Sequence, residues 1–345
     1  MKRVFTRISS VGLCLALLCS ILCIAASAQQ ADSYHGRKYQ YYTYLGDSIP
    51  WGYGVDPACD HSDPYGVGMR VPGSYTDLVA GVLEENCGTH IQPAASSGSR
   101  LIDYRYLLER GMGVPDPYTI VDDWYGMRKP ERTARLRNMG PEICSWIKES
   151  DLVSVQVGIN DITGALVNSA YATKLVDLDR LQNLSDLSSV LSYLQFALDN
   201  VAKDPNVAGN LVKTFYSEMS GLFENAAEVV KDVVTVAPDD ADILLVGYHK
   251  AVKPFRVLPG THSSLVFGAV DEVLMAFNET FRKLADQYDN VYYVDAPDAE
   301  VFGKEGTSAV EILKNREQFL LWIHPDKEGH QYIARCVLDT LNKIH

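Results

Sequence analysis

Short, apolar, β-prone runs alternate along this chain with longer stretches of helical periodicity, and that alternation limits the possible folds more than any other feature. "DLVSVQV" (151–157) and "DILLVG" (242–247) are nearly continuous apolar runs. Runs of this kind suit strands covered on both faces. Residues 39–45 and "NVYYV" (290–294) read as further strands, and 84–94 contains a weaker one. Helical patterns occupy 75–85 and 270–288, and a helix at about 327–344 closes the chain. Such alternation predicts βαβ crossovers and a parallel α/β sheet. In open parallel sheets ligands bind at the carboxyl ends of the strands, so chemistry is sought there.

The amino terminus reads differently. Lys2, Arg3 and Arg7 precede an apolar run over 11–26, and Ala26-Ser27-Ala28 is a small-x-small site. The expectation is a secretory signal over 1–28, cleaved before Gln29, with one domain over 29–345. The retained-anchor alternative is disfavoured because the run is short for a spanning helix. Net charge over the 345 residues is −13, and removing three cations makes the mature chain −16. That balance argues against nucleic acid and anionic membrane surfaces as partners, and no other stretch is apolar enough for stable membrane insertion. The expectation is a monomer, secreted to the periplasm or the extracellular space. Cys59, Cys87, Cys144 and Cys336 lie outside the leader and lack Cys-x-x-Cys spacing, so no metal site is expected. An exported chain can pair them, and Cys59 with Cys87, nearest in sequence, is the favoured disulfide.

Two segments exceed what a crossover needs. Residues 100–141 are rich in Tyr, Arg, Gly and Pro, and 162–240 carries Leu184, Leu187, Leu191, Leu194 and Leu198 at helical spacing. They read as insertions, either buttressing the core or capping a site.

Four strand-end motifs bear reactive or polar groups. "GDS" (46–48) places a hydroxyl after the first strand, although Pro50 rules out the Gly-x-Ser-x-Gly elbow. Gly98, in "PAASSGSR" after the second strand, can present a backbone N–H. Asn160, in "VGIND" after the third, can aim an amide donor into the same crevice. His324, in "WIHPDKEGH", is held extended by Pro325 just ahead of the last helix, whereas His330 falls within that helix and reads as structural. Each motif alone equally fits a turn, a cap or a loop.

Taken in order, the four motifs resemble the blocks of the SGNH, or GDSL, hydrolase family. The resemblance implies a flavodoxin-like three-layer α/β/α sandwich whose five parallel strands run in the order 2-1-3-4-5. It implies a serine esterase or lipase without cofactor or metal. Ser48 would be the nucleophile and His324 the base, with the Ser48 and Gly98 N–H groups and the Asn160 amide forming an oxyanion hole. The family's aspartate, three residues before the histidine, is replaced here by Leu321. The Leu321 main-chain carbonyl, Glu317 or Asp295 are the candidates for orienting the imidazole; otherwise the scaffold is inactive. Substrates implied are small-molecule, lipid or glycan esters. A carboxylester hydrolase is the first reading, a carbohydrate O-deacetylase the second and a non-catalytic extracellular binding protein the third. Trp51, Tyr53 and "DDWYGMR" (122–128) line a sugar or acyl site or belong to the core. Asn183 and Asn278 sit in glycosylation-type triplets.

Overall fold

The computed structural model describes residues 34–55, 68–114, 130–173, 205–249, 263–295 and 324–345. The leader, Cys59, the aromatic run at 122–128, the leucine stripe at 184–198, Asn183, Glu317 and Leu321 lie outside the described residues.

Five strands form one parallel sheet: β1 (Tyr41–Gly46), β2 (His90–Ala95), β3 (Leu152–Gln156), β4 (Asp242–Val246) and β5 (Val291–Val294). Their order is β2-β1-β3-β4-β5, as the family resemblance implies. Every residue of β3 and β4 is buried, which is why those strands read as unbroken apolar runs. Edge strand β2 is half-exposed over His90–Pro93, and its sequence signal is correspondingly weak.

The helices among the described residues are α1 (Ser48–Trp51), α2 (Tyr75–Cys87), α3 (Leu101–Gly111), α4 (Pro130–Glu149), α5 (Ile159–Ala172), α6 (Pro205–Glu218), α7 (Leu222–Val236), α8 (Ser263–Ala285) and α9 (Lys327–Ile344). They pack in two groups, as a sheet covered on both faces requires. One joins α2 to α9; the other links α3, α4 and α7 through α8 to α5 and α6. Helix α2 starts where the Ser74 side chain accepts from the Asp77 N–H, and it ends at the left-handed Gly88. The side chain of Asp326 caps α9 in the same way, accepting from the Gly329 N–H at 2.9 Å. The buried face of α9 comprises Ile333, Ala334, Val337 and Leu341, one helical stripe. Among the described residues no helix is long and apolar enough to cross a membrane.

One detail narrows the sequence reading and two differ from it. The first half of the 84–94 segment is the end of α2, and the strand begins only at His90. Cys87, Cys144 and Cys336 are free thiols, so the Cys59–Cys87 disulfide is not formed. Nearness in sequence does not supply the short Cβ–Cβ distance that a disulfide needs. Asn278 is only 4% exposed and is no glycan acceptor. Its side-chain oxygen accepts from the Tyr248 N–H at 2.8 Å, and its amide donates to the Tyr248 carbonyl at 2.7 Å.

Candidate active site

Strand β1 ends at Gly46 with φ +149°. A Cβ there would lie 2.2 Å from the Gln156 carbonyl oxygen and 2.5 Å from Pro50 Cγ, so only glycine lets β1 and β3 close together at this point. The next residue, Asp47, donates its N–H to the Gln156 carbonyl at 3.1 Å. Its carboxylate accepts from the Ile49 N–H at 3.0 Å, capping α1 and leaving Ser48 as the first helical residue. Pro50 sits within the first turn, where its missing N–H costs nothing.

Ser48 Oγ lies 2.7 Å from His324 Nε2. The two residues are 276 positions apart, both are buried, and His324 immediately precedes the capped start of α9. Nε2 is thus the ring nitrogen placed to receive the serine proton.

The loop after β2 and the start of α5 carry the other two strand-end motifs. The loop after β2 is tied to β1 by the Ser96 N–H donating to the Gly46 carbonyl at 2.9 Å. It then turns through Gly98, φ +74°, closed by the Ser99 N–H on the Ser96 carbonyl at 3.1 Å. A left-handed residue at the third position of such a turn is where type II geometry selects glycine. Asn160, at the start of α5, donates one amide hydrogen to the Ser99 carbonyl at 2.9 Å. An amide nitrogen carries two hydrogens, so one remains for another acceptor. Among the described residues neither the Ser48 N–H nor the Gly98 N–H makes a hydrogen bond.

Of the groups expected to orient His324, Glu317 and Leu321 lie outside the described residues. Asp295 is turned elsewhere: its mostly exposed carboxylate pairs with Arg282 Nη2 at 2.5 Å. Arg282 lies in the last turn of α8 and satisfies that charge in solvent.

The structure adds groups that the motifs did not single out. Tyr248, two residues past β4, donates its phenol to the Asp47 carboxylate. Asp47 is fully buried, and desolvation pushes its carboxyl up to about 7 against the opposing pull of the Tyr248 and Ile49 hydrogen bonds. Asp161 is also raised to about 7, again chiefly by desolvation, although it accepts from the Leu101 N–H at 3.0 Å. By surface area Asp161 is only half-buried; the dense protein around its carboxyl decides the direction. His249, next to Tyr248, is pushed down to about 3 by burial and then by the nearby His324. His330 is lowered to about 3 by the same burial and by both other histidines. Its Nδ1 accepts the Tyr75 N–H at 3.0 Å, satisfying the first orphan donor of α2, so this histidine is structural. Tyr53 packs its ring on His324, and Trp51 is 1% exposed, a core residue. The signal for Tyr248 and His249 was available in their place just past a parallel strand's carboxyl end.

Among the described residues no cluster of His, Cys, Asp or Glu is arranged to hold a metal ion. A hydroxyl in hydrogen-bonding contact with an imidazole fits nucleophilic acyl chemistry. The family model of the GDSL-like lipases and acylhydrolases matches residues 44–332, which takes in all four strand-end motifs.

The chain belongs to the GDSL-like lipase/acylhydrolase family. As a member of this family it is an ester-bond hydrolase. No curated protein matches it. Solved structures similar to this GDSL hydrolase include the extracellular lipase of Streptomyces rimosus, with 17% identity, TM-score 0.44, and 89% of this chain and 100% of that one covered. Phospholipase A1 of Streptomyces albidoflavus is similar at 17% identity and TM-score 0.43, covering 89% and 99% of the two chains. A catalytic mutant of the acetylxylan esterase Axe2 of Geobacillus stearothermophilus gives 14% identity and TM-score 0.43, covering 90% and 96%. At these scores the likenesses carry no argument about substrate.

Proposed function

We propose that this GDSL hydrolase is a secreted carboxylester hydrolase working through an acyl-Ser48 intermediate. Ser48 Oγ attacks the ester carbonyl while its proton passes to His324 Nε2. The tetrahedral oxyanion is received by the N–H groups of Ser48 and Gly98 and by the remaining amide hydrogen of Asn160. His324 then gives its proton to the departing alkoxide, and the alcohol leaves. Water, deprotonated by the same imidazole, attacks the acyl carbon; as the Oγ–acyl bond breaks, the imidazolium returns that proton to Ser48 Oγ, which releases the acid and free Ser48.

The observation that carries this reading is the 2.7 Å contact between Ser48 Oγ and His324 Nε2. A hydroxyl and an imidazole from opposite ends of the chain meet in hydrogen-bonding contact. Export is supported by the basic start, apolar run and small-x-small site of residues 1–28.

The test compares wild type with Ser48→Ala on nitrophenyl acetate. Wild-type hydrolysis should be lost in the variant, and a fluorophosphonate probe should label wild type alone. The rate should fall in acid, where His324 takes up a proton and ceases to be a base. Equal rates in the two proteins, or a profile without an acidic limb, would overturn the assignment. The same assay run on long-chain esters and on acetylated glycans distinguishes a lipase from a simple esterase and from a deacetylase.

A further inference from the structure

Tyr53 stands five residues beyond Ser48 and is built into the nucleophile's own turn. Its N–H donates to the Ser48 carbonyl at 2.9 Å, after a reversal at Gly52, φ +94°. Its ring centroid lies 5.0 Å from that of the His324 imidazole, with 39° between the planes. Trp51, fully packed in the core, stands 6.3 Å from Tyr53, with 37° between the rings. The imidazole is therefore contacted by two groups from one short segment: Ser48 Oγ at Nε2, and the Tyr53 ring.

The family's orienting aspartate performs two tasks, fixing the imidazole's orientation and stabilising the imidazolium. Leu321 occupies that position in sequence and brings no charge. An aromatic ring within about 6 Å of a cation attracts it through its quadrupole, with a gain of about 0.5–2 kcal/mol that grows as water is excluded. Both Ser48 and His324 are buried, so the cation formed here is poorly hydrated.

We infer that Tyr53 is a positioning residue for His324, whose ring restrains the imidazole and stabilises the imidazolium. This rests on the Ser48–His324 reading given above. The charge forms when the Ser48 proton moves to Nε2 as the Oγ–acyl bond is made. It disappears when that proton passes to the leaving alcohol. Among the described residues, His249, after β4, and His330, on α9, are titratable groups coupled to His324. Asp326, two residues along from His324, is engaged in capping α9. Neither neighbouring histidine carries charge near neutral pH, so neither sets a like charge beside the imidazolium.

The test is a set of Tyr53 variants in the full chain, assayed on nitrophenyl acetate across pH, with active sites counted by fluorophosphonate titration. Tyr53→Leu should lower kcat about 2–30-fold, the rate equivalent of such a cation–ring contact, with little change in KM. Its acidic limb should move to lower pH, because the imidazolium has lost a stabilising contact. Tyr53→Phe keeps the ring and should recover most of the lost rate. If Tyr53→Leu does not fold, Tyr53→Met gives the same comparison with a more adaptable side chain. Unchanged kcat and acidic limb in the Leu or Met variant would overturn the inference. So would a raised KM at constant kcat, which assigns the ring to substrate, or a Phe variant as slow as Leu, which assigns the effect to the hydroxyl. The Ser48→Ala control separates the two levels. If wild type shows no Ser48-dependent hydrolysis, the catalytic reading itself fails; if it does and Tyr53→Leu matches it, only the role of Tyr53 fails.

Discussion

At the amino end of the sheet, Asp151 and Asp242 are surrounded by donors; at the carboxyl end, Asp47 and Asp161 have few. Asp151 accepts from the Gln40 N–H at 2.8 and 3.0 Å and from the Tyr41 N–H at 2.9 Å, fastening the start of β1 to β3. Asp242 accepts from the Tyr39 hydroxyl at 2.7 Å and pairs with His345 Nε2 at 2.7 Å. The Arg37 guanidinium stands 3.6 Å away. Both chain ends of the described domain are thereby tied to β4. At the other end Asp47 has one phenol and one amide, and among the described residues it makes no ion pair. The same residue type serves as a clamp where donors and cations gather, and as a protonatable group where they do not. The lesson is that the two ends divide the work: one end is saturated with hydrogen bonds, while the other leaves donors and titratable groups unspent for chemistry.

The sharpest way to break this division is to compare activity at the two ends. Ser48→Ala or His324→Ala should lower kcat on the order of 10³- to 10⁶-fold while urea denaturation changes little. Asp151→Ala should do the reverse, leaving kcat per folded molecule intact and lowering stability by about 1–3 kcal/mol, since two backbone N–H groups lose their acceptor. A large kcat loss in Asp151→Ala would end the comparison as drawn.

Gly46→Ala tests how tightly the carboxyl end is assembled. The added Cβ meets backbone at 2.2 Å in a left-handed conformation, so stability should fall by about 3 kcal/mol or more. A variant with wild-type stability in thermal melts would show that β1 and β3 are not locked there.

Stability against pH sharpens the contrast between the acids. Asp47 and Asp161 have folded values near 7, above the ordinary carboxyl value of 3.8. Between about pH 4 and 7 the folded protein therefore holds protons that the unfolded chain has released. Stability from these groups is fully present below pH 4 and declines as pH rises through 7, by on the order of a few kcal/mol. Asp47→Asn, which cannot ionise and keeps the Ile49 cap, should flatten part of that decline in urea titrations at pH 5 and 8. A slope identical to wild type would remove Asp47 from the account.

The smallest expected effect is that of Tyr248→Phe. Removing the phenol strips Asp47 of a hydrogen bond that favours its ionised form. Stability should drop by about 1–2 kcal/mol, more at pH 8 than at pH 5. An equal loss at both values would mean that the phenol bonds the protonated and ionised carboxyl alike.

Much of the architecture was legible in the chain. The apolar runs of β3 and β4 and the helical patterns at 75–85, 270–288 and 327–344 are local patterns set by burial and backbone geometry. The limit shows in the segment 84–94, where a helix end and a half-exposed edge strand share one stretch and neither periodicity dominates. The strand-end motifs containing Ser48, Gly98, Asn160 and His324 were visible as a series, but their partners were not. Asp47 read as part of a motif, and nothing local says that Tyr248, 201 residues away, donates to it. Asn278 matched a glycosylation triplet, and only burial reveals it as a bracket on Tyr248. Cys87 was paired by proximity in sequence, a criterion with no bearing on Cβ separation.

By itself, then, the sequence determined the alternation of apolar strands with helical patterns and the residue types available at each strand end, because side-chain periodicity and turn chemistry act over a few neighbours. Only the tertiary structure decided which of those residues meet. Contact between Ser48 and His324, the Tyr53 ring on the imidazole, and the raised carboxyl of Asp47 all depend on groups far apart in the chain and on the water excluded between them. Distance and desolvation are properties of the packed molecule, and no local pattern encodes them.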